Sequence, residues 1–272
     1  MTGWRLTLKA SPALRVDLRG VTPTSLAGLS VAEVERMQLG YGNARLALAE
    51  FFRIEPHDHG DSLIFDGDLS RFDRVGWQLA AGRIRVVGNV GHYAGGCMSA
   101  GELVVEGGAG LLAACEMAGG SFTVQGDVAD FAASTLPGSM DGMRGGTFVV
   151  KGHAGARFGD RMRRGSAIVH GNAGDFLASR LVAGTIAIGG RAGAHVGWGM
   201  RRGSVVFAGE PESSDIPSTF VPALGGAEVF WQLLARDLAG HGGPFAALAA
   251  RRTERHLGDL AADGRGEIII AR

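Results

Sequence analysis

Lysine is nearly missing from this chain. It occurs only at Lys9 and Lys151, and the remaining basic residues are arginine. The formal net charge is zero, with 27 Lys+Arg against 27 Asp+Glu. A neutral chain offers no general electrostatic argument for nucleic acid or an anionic membrane as a partner. Arginine favours fixed, bidentate contacts with carboxylates and phosphates, although a GC-rich bacterial genome produces the same bias. Cysteine is scarce as well. Cys97 and Cys115 form no C-x-x-C or Cys/His metal spacing, and they read as reduced thiols of a cytosolic protein. The first residues, MTGWRLTLKASPALRV, hold no apolar run of signal-peptide length. No stretch approaches the roughly 18 apolar residues of a membrane span. These absences predict a soluble, cytoplasmic protein with no nucleic-acid or membrane partner. The 46% of hydrophobic residues suffices for a core and excludes a disordered chain.

Glycine is abundant, with 46 of 272 residues, and it is periodic. Seven stretches read G-x-φ-x-φ-x-G, where φ is mostly apolar: GRIRVVG (82–88), GELVVEG (101–107), GSFTVQG (120–126), GTFVVKG (146–152), GSAIVHG (165–171), GTIAIGG (184–190) and GSVVFAG (203–209). Their starts differ by 19, 19, 26, 19, 19 and 19. The longer step holds a seven-residue insertion near Ser134–Met140 (STLPGSM). A glycine follows three residues later at Gly91, Gly110, Gly155, Gly174 and Gly193, and a further column holds Met98, Met117, Met143, Met162, Leu181 and Met200. Nineteen residues is too short for helical-hairpin repeats of about 33 to 47 residues or a propeller blade of about 40. Alternation within each stretch puts Ile84 and Val86, Leu103 and Val105, Phe148 and Val150, or Ile186 and Ile188 on one face of a strand. The spacing predicts an all-β-dominated fold: a right-handed parallel β-helix, a solenoid of about 19 residues per turn and roughly seven turns, with methionines filling its interior. Glycines that recur in every unit serve sharp bends and close backbone approach. A phosphate loop needs one such site before a helix.

Stacked repeats need capped ends. Residues 1–60 predict a small α/β cap, with strands in WRLTLK and ALRVDLR and a helix from Ser30, where Glu33 completes a capping box. Residues 61–210 are the Gly-rich repeat. Residues 211–272 are a C-terminal extension: a Pro/Ser linker, a helix in AEVFWQLLARDLAG, more helix in GPFAALAARRTERHLGDL and a terminal strand in GRGEIIIAR. Phe230, Trp231 and Phe245 are expected to pack this extension against the repeat or a partner.

The motif G-x-x-G-x-x-x-G appears at 88–95, 152–159 and 190–197. It resembles the Gly-rich domain shared by the C-terminal part of the glutamate synthase large chain and the C subunit of formylmethanofuran dehydrogenase. The tail RHLGDLAADGRGEIII and the segment GLSVAEVERMQLGYGNARLALAEFFRI resemble the ends of this C-subunit family, so the likeness spans nearly the whole sequence. The family implies a scaffold in one of two complexes. One is a tungsten- or molybdenum-containing formylmethanofuran dehydrogenase. The other is a formyltransferase/hydrolase complex, which moves a formyl group from tetrahydromethanopterin to a methanofuran-type cofactor and hydrolyses it to formate. The arginine-rich composition favours the second. The resemblance implies a hetero-oligomer with amidohydrolase-like, formyltransferase and dehydrogenase-B-like subunits. It places metals and catalysis on those partners and any methanofuran-type cofactor at the level of the complex.

No Ser/His/Asp or Cys/His constellation emerges from spacing, and no catalytic or metal-binding residue is assigned. His57-Asp58-His59 lacks a third ligand at a familiar spacing and reads as an exposed loop. Asp130 and Asp175 share a column and read as carboxylates bonding their own turns. One surface feature is more specific. Arg144, Arg163 and Arg201 follow the methionine column, with Arg164 and Arg202 one position on and Val182 between. Stacking such charges requires carboxylates, phosphates or a partner. Ion pairs with carboxylates of the same polypeptide or a neighbouring subunit are the simpler reading. The alternative is a docking strip for an anionic ligand, which the glutamate-rich tail implied by the resemblance would suit. A free-standing β-helix enzyme and a detached glutamine-dependent synthase domain are the competing classes. The first lacks a carboxylate ladder or hexapeptide signature, and the flanks disfavour the second.

Overall fold

A computed structural model describes residues 3–58, 60–209, 216–223 and 228–272. The first 58 residues form β1 (Gly3–Leu8), β2 (Val16–Asp17), α1 (Pro23–Leu26), α2 (Val31–Glu35), β3 (Gln38–Tyr41), β4 (Ala44–Ala47), α3 (Leu48–Phe51) and β5 (Phe52–His57). Helix α2 starts where the capping box placed it: the Ser30 N–H and hydroxyl both donate to Glu33 Oε2, at 2.8 and 2.6 Å. ALRVDLR supplies only the two-residue β2.

Then come β6 (Ser62–Asp66), β7 (Phe72–Asp73) and one strand for each glycine unit: β8 (Arg83–Val87), β9 (Glu102–Val105), β10 (Ala118–Val124), β11 (Arg144–Val150), β12 (Arg164–Val169), β13 (Thr185–Ile188) and β14 (Ser204–Phe207). The last elements are β15 (Val221–Pro222), α4 (Glu228–Ala239), β16 (Thr253–Gly258) and β17 (Gly266–Ala271).

The expected right-handed parallel β-helix is corrected here. Thirteen strands form one mixed sheet in the order β15-β16-β17-β14-β13-β12-β11-β10-β9-β8-β6-β1-β5, and β4-β3-β2-β7 form a second, four-stranded sheet that shares its core. Pairing is parallel from β1 through β6 and β8 to β14 and on to β17, but antiparallel at β1–β5, β16–β17 and β15–β16. The physical reason is that each 19-residue unit contributes one short strand to the sheet, and the rest of it is turns with a single bridging residue. The flanking segments therefore close the sheet by folding back beside its last strands. The expected helix in RRTERHLG is corrected for the same reason: it is β16, hydrogen-bonded along β17, preceded by 3-10 turns at Gly243–Phe245 and Leu248–Ala250.

The repeat register survives this correction. Ile84 sits beside Leu103, Leu103 beside Phe122, Phe122 beside Phe148 and so on to Val205. A second column, Leu69–Val90–Ala109–Val128–Ala154–Ala173–Ala192, is joined by single parallel bridges. The methionine column is fully buried from Met98 to Met200. Gly165 illustrates the glycine requirement. Its φ is +93°, and a Cβ there would stand 2.6 Å from the Gly146 carbonyl oxygen.

Outward-facing strand residues form a second core where α4 crosses the sheet. Val149, Ile168, Ala187 and Val206 are buried beneath Trp231, Ala235 and Leu238. Phe245 packs there as expected, whereas Phe230 remains exposed.

Candidate functional site

Between its strand and the next, each unit turns through alternating left-handed residues: Arg74, Gly76 and Gln78, then Tyr93, Gly95 and Cys97, and so on to His195, Gly197 and Gly199. Such φ values cost non-glycine residues roughly 1–2 kcal/mol each. They persist because most backbone N–H groups there find a carbonyl in an adjacent unit, as Arg157 N–H does on Asp175 O (2.7 Å) and Phe176 N–H on Ala194 O (2.8 Å), while Gly199 N–H finds the Asp259 carboxylate (2.9 Å). Polar side chains add to this stacking. Asp130 Oδ1 accepts from Ala156 N–H and Asp175 Oδ1 from Ala194 N–H, both at 2.8 Å. These carboxylates therefore bind the following unit, which corrects the expectation that they bond their own turns. His92 and His153 act alike: their Nδ1 atoms accept from Leu111 N–H (3.0 Å) and Asn172 N–H (2.9 Å). Both imidazoles thus have a structural duty.

The five arginines singled out by spacing are all exposed. Arg144 and Arg164 are direct register partners on β11 and β12. Arg163 pairs with Asp141, just beyond the insertion. Arg201 and Arg202 lie two units further, past Val182 and Ala183. The strip is therefore two clusters, and an internal carboxylate meets it at Arg163.

The remaining chemistry is sparse. His57 Nε2 lies 3.3 Å from Ser62 Oγ, and His59 falls outside the described residues. Among the described residues no three His, Cys, Asp or Glu side chains gather as a metal group would require. Burial, with Glu116 nearby, pushes the Cys97 thiol upward, and burial pushes Cys115 further still, so neither is a ready thiolate. Lys151 Nζ reaches His170 Nε2 (3.0 Å) and donates to His241 O (3.1 Å), which ties the C-terminal extension to β12. No described helix is long and apolar enough to cross a membrane.

Spacing did not disclose the concave feature at the insertion. Loop residues Thr135–Ser139 face Leu112, Phe131, Arg161 and Arg180 across a pocket of about 270 Å³. The 26-residue step was the available signal, and it read only as an interruption.

No family model matches the sequence. A solved structure does. The crystal structure of the formyltransferase/hydrolase complex (FhcABCD) of Methylorubrum extorquens, with methylofuran, contains a polypeptide 41% identical, with a TM-score of 0.92, covering 98% of this protein and 99% of that one. The C subunit of the formyltransferase/hydrolase complex Fhc from the same organism is 43% identical over 86 residues, 32% of each protein. The C subunit of tungsten-containing formylmethanofuran dehydrogenase 2 from Methanothermobacter marburgensis is 36% identical over 94 residues, 33% of this protein and 35% of that one. These sequence matches span about a third of the length of the curated relatives.

Proposed function

The protein belongs to the C-subunit family of the formyltransferase/hydrolase complex, and on that premise we propose that it is a non-catalytic scaffold subunit of such a complex. The complex transfers a formyl group from tetrahydromethanopterin to a methanofuran-type cofactor and hydrolyses it to formate in the cytoplasm. Its partners are amidohydrolase-like, formyltransferase and dehydrogenase-B-like subunits. The observation that carries this reading is the full-length likeness to a component of the methylofuran-bound complex. Over a similar third of the sequence, the formyltransferase/hydrolase C subunit is 43% identical and the tungsten enzyme's C subunit 36%, which favours the formyltransferase/hydrolase reading. The scaffold role is supported by where the polar groups go: His92, His153, Asp130 and Asp175 bond the backbones of neighbouring units.

Within that role the exposed arginines, Arg144, Arg163 and Arg164 in one cluster and Arg201 and Arg202 in a second, dock an anionic ligand or a partner subunit, the carboxylates of the cofactor among them. The test is affinity purification of the protein from cells that also express its partner subunits. The partners should co-elute in fixed ratio, and formate should form only when they are present. A protein that elutes alone, or that hydrolyses the formyl donor alone, overturns the scaffold reading. Arg163→Ala combined with Arg201→Ala should weaken assembly or cofactor retention roughly tenfold. Unchanged assembly together with unchanged cofactor affinity would sink the strip.

A further inference from the structure

The insertion pocket holds two guanidinium groups in different states. Arg180 is fully paired: its Nε and Nη2 lie 3.0 and 2.8 Å from Asp160 Oδ1, and Nη2 is 2.7 Å from Oδ2. Asp160 is buried and also accepts from the Ser179 hydroxyl. Arg161 is half-buried, and its guanidinium touches the thioether sulfur of Met140. A thioether is a weak acceptor and carries no charge. Among the described residues no carboxylate pairs with Arg161. Around it Leu112, Phe131, Leu136 and Pro137 supply apolar walls, and the polar lining is Thr135, Ser139 and the Asp160 carboxylate already held by Arg180. Phe131 lines the pocket at 40% exposure, and Met140, which touches Arg161, is 66% exposed.

The pocket opens onto a ledge. Arg157 lies over the rings of Phe131 (5.8 Å) and Phe176 (4.5 Å), and Phe176 meets Trp198 edge-on at 6.2 Å. Trp198 is 51% exposed. Arg157, like Arg161, has no carboxylate partner among the described residues. From Phe131 to Trp198 the ledge crosses three stacking steps, about 14 Å at the usual strand spacing, the length of four or five extended residues. Aromatic residues and arginine are the side chains that carry binding energy at protein interfaces. An apolar pocket beside an unneutralised cation selects a side chain of matching kind and a carboxylate next to it.

We propose that this pocket and ledge seat an acidic-apolar segment of a neighbouring subunit, whose apolar side chain fills the pocket while its Asp or Glu carboxylate takes Arg161 from Met140. The proposal rests on the reading of the protein as a subunit of a complex. A small free carboxylate would satisfy Arg161 but leave the ledge from Arg157 to Trp198 uncovered, which favours a peptide segment.

The test uses the assembled complex. p-Benzoylphenylalanine in place of Met140 should crosslink, on illumination, to one partner subunit at a segment with Asp or Glu within a few residues of an apolar anchor. Arg161→Glu should weaken assembly roughly tenfold or more, Arg161→Lys should weaken it less, and reversing the charge of the crosslinked carboxylate should restore Arg161→Glu. A crosslink confined to this polypeptide, or to a second copy of it, overturns the proposal. So does unchanged assembly of Arg161→Glu in a variant whose melting temperature equals that of the parent. If no partner co-purifies with the unsubstituted protein, the complex reading itself fails. If partners co-purify and the crosslink and charge reversal are null, the pocket assignment alone fails.

Discussion

At the scale of single residues, two kinds of left-handed backbone coexist. Non-glycine residues such as Leu112, Arg157 and Phe176 occupy positive φ with half-buried side chains that meet other side chains, as Arg157 does over the rings of Phe131 and Phe176. In the column that opens each glycine unit, glycine occupies it where a Cβ would meet the backbone of the preceding unit. Gly165 is of the second kind, because its added Cβ would meet the Gly146 carbonyl at 2.6 Å and the Met143 methyl at 3.0 Å. Gly138, in the insertion, also has positive φ (+85°) but nothing within 4 Å of its added Cβ. Alanine at Gly138 should therefore cost only the backbone strain, about 1 kcal/mol. Alanine at Gly165 adds a clash that only movement of the backbone relieves, and should cost more than about 2 kcal/mol. Urea unfolding of the two variants side by side measures both, and equal losses would contradict the distinction between the two glycines.

At the scale of elements, the glycine units were legible because their strands are local: alternation marks the buried side, and a 19-residue step sets which residue stacks on which. The outward side of β11 to β14 was not legible. Val149, Ile168, Ala187 and Val206 are apolar there because α4 covers them, and α4 comes from a segment that begins about twenty residues after the last strand of the repeat. The antiparallel closure by β16 was missed for a similar reason. RRTERHLG has helical composition, but its backbone is claimed by β17. The arginine strip was visible as a column, whereas the insertion pocket was not, since its groups come from Leu112 in one unit and Arg180 three units later. We propose that residues 1–60, 61–210 and 211–272 behave as cap, repeat and extension. Trp231→Ala tests the second boundary. Losing that buried indole should cost about 3–5 kcal/mol of docking energy. Hydrogen exchange should then quicken across α4 while β8 to β10 stay protected. Uniform acceleration through all strands would mean that the extension unfolds only with the repeat.

At the scale of the whole molecule, the acid response follows from where its histidines lie. Burial holds His92, His170 and His241 below their ordinary value of 6.5, with the Lys151 charge adding to the effect at His170 and that of Arg15 at His92. Unfolding exposes all three. Below pH 6.5 the unfolded state takes up protons that the folded state refuses, so stability falls as pH drops through that region and is fully present above it. The carboxylates act in the same direction but at lower pH. Burial tends to raise Asp73, but its hydrogen bond from Arg15 and that from His92 N–H outweigh this and hold it below 3.8. Its contribution is present above 3.8 and lost only beneath it. Two stages of acid destabilisation are therefore expected, the first belonging to histidine. The melting temperature should stay level between pH 7 and 8 and decline between pH 6.5 and 5. In the first stage the junction of β12 with the extension is the sensitive place, because a protonated His170 can no longer accept from Lys151 Nζ, and two cations then face each other at 3.0 Å. His170→Gln keeps an acceptor for Lys151 but removes the titration, and together with His241→Gln it should flatten the decline between pH 6.5 and 5. A double variant that melts with the parent's pH slope would place the acid sensitivity elsewhere than at this junction.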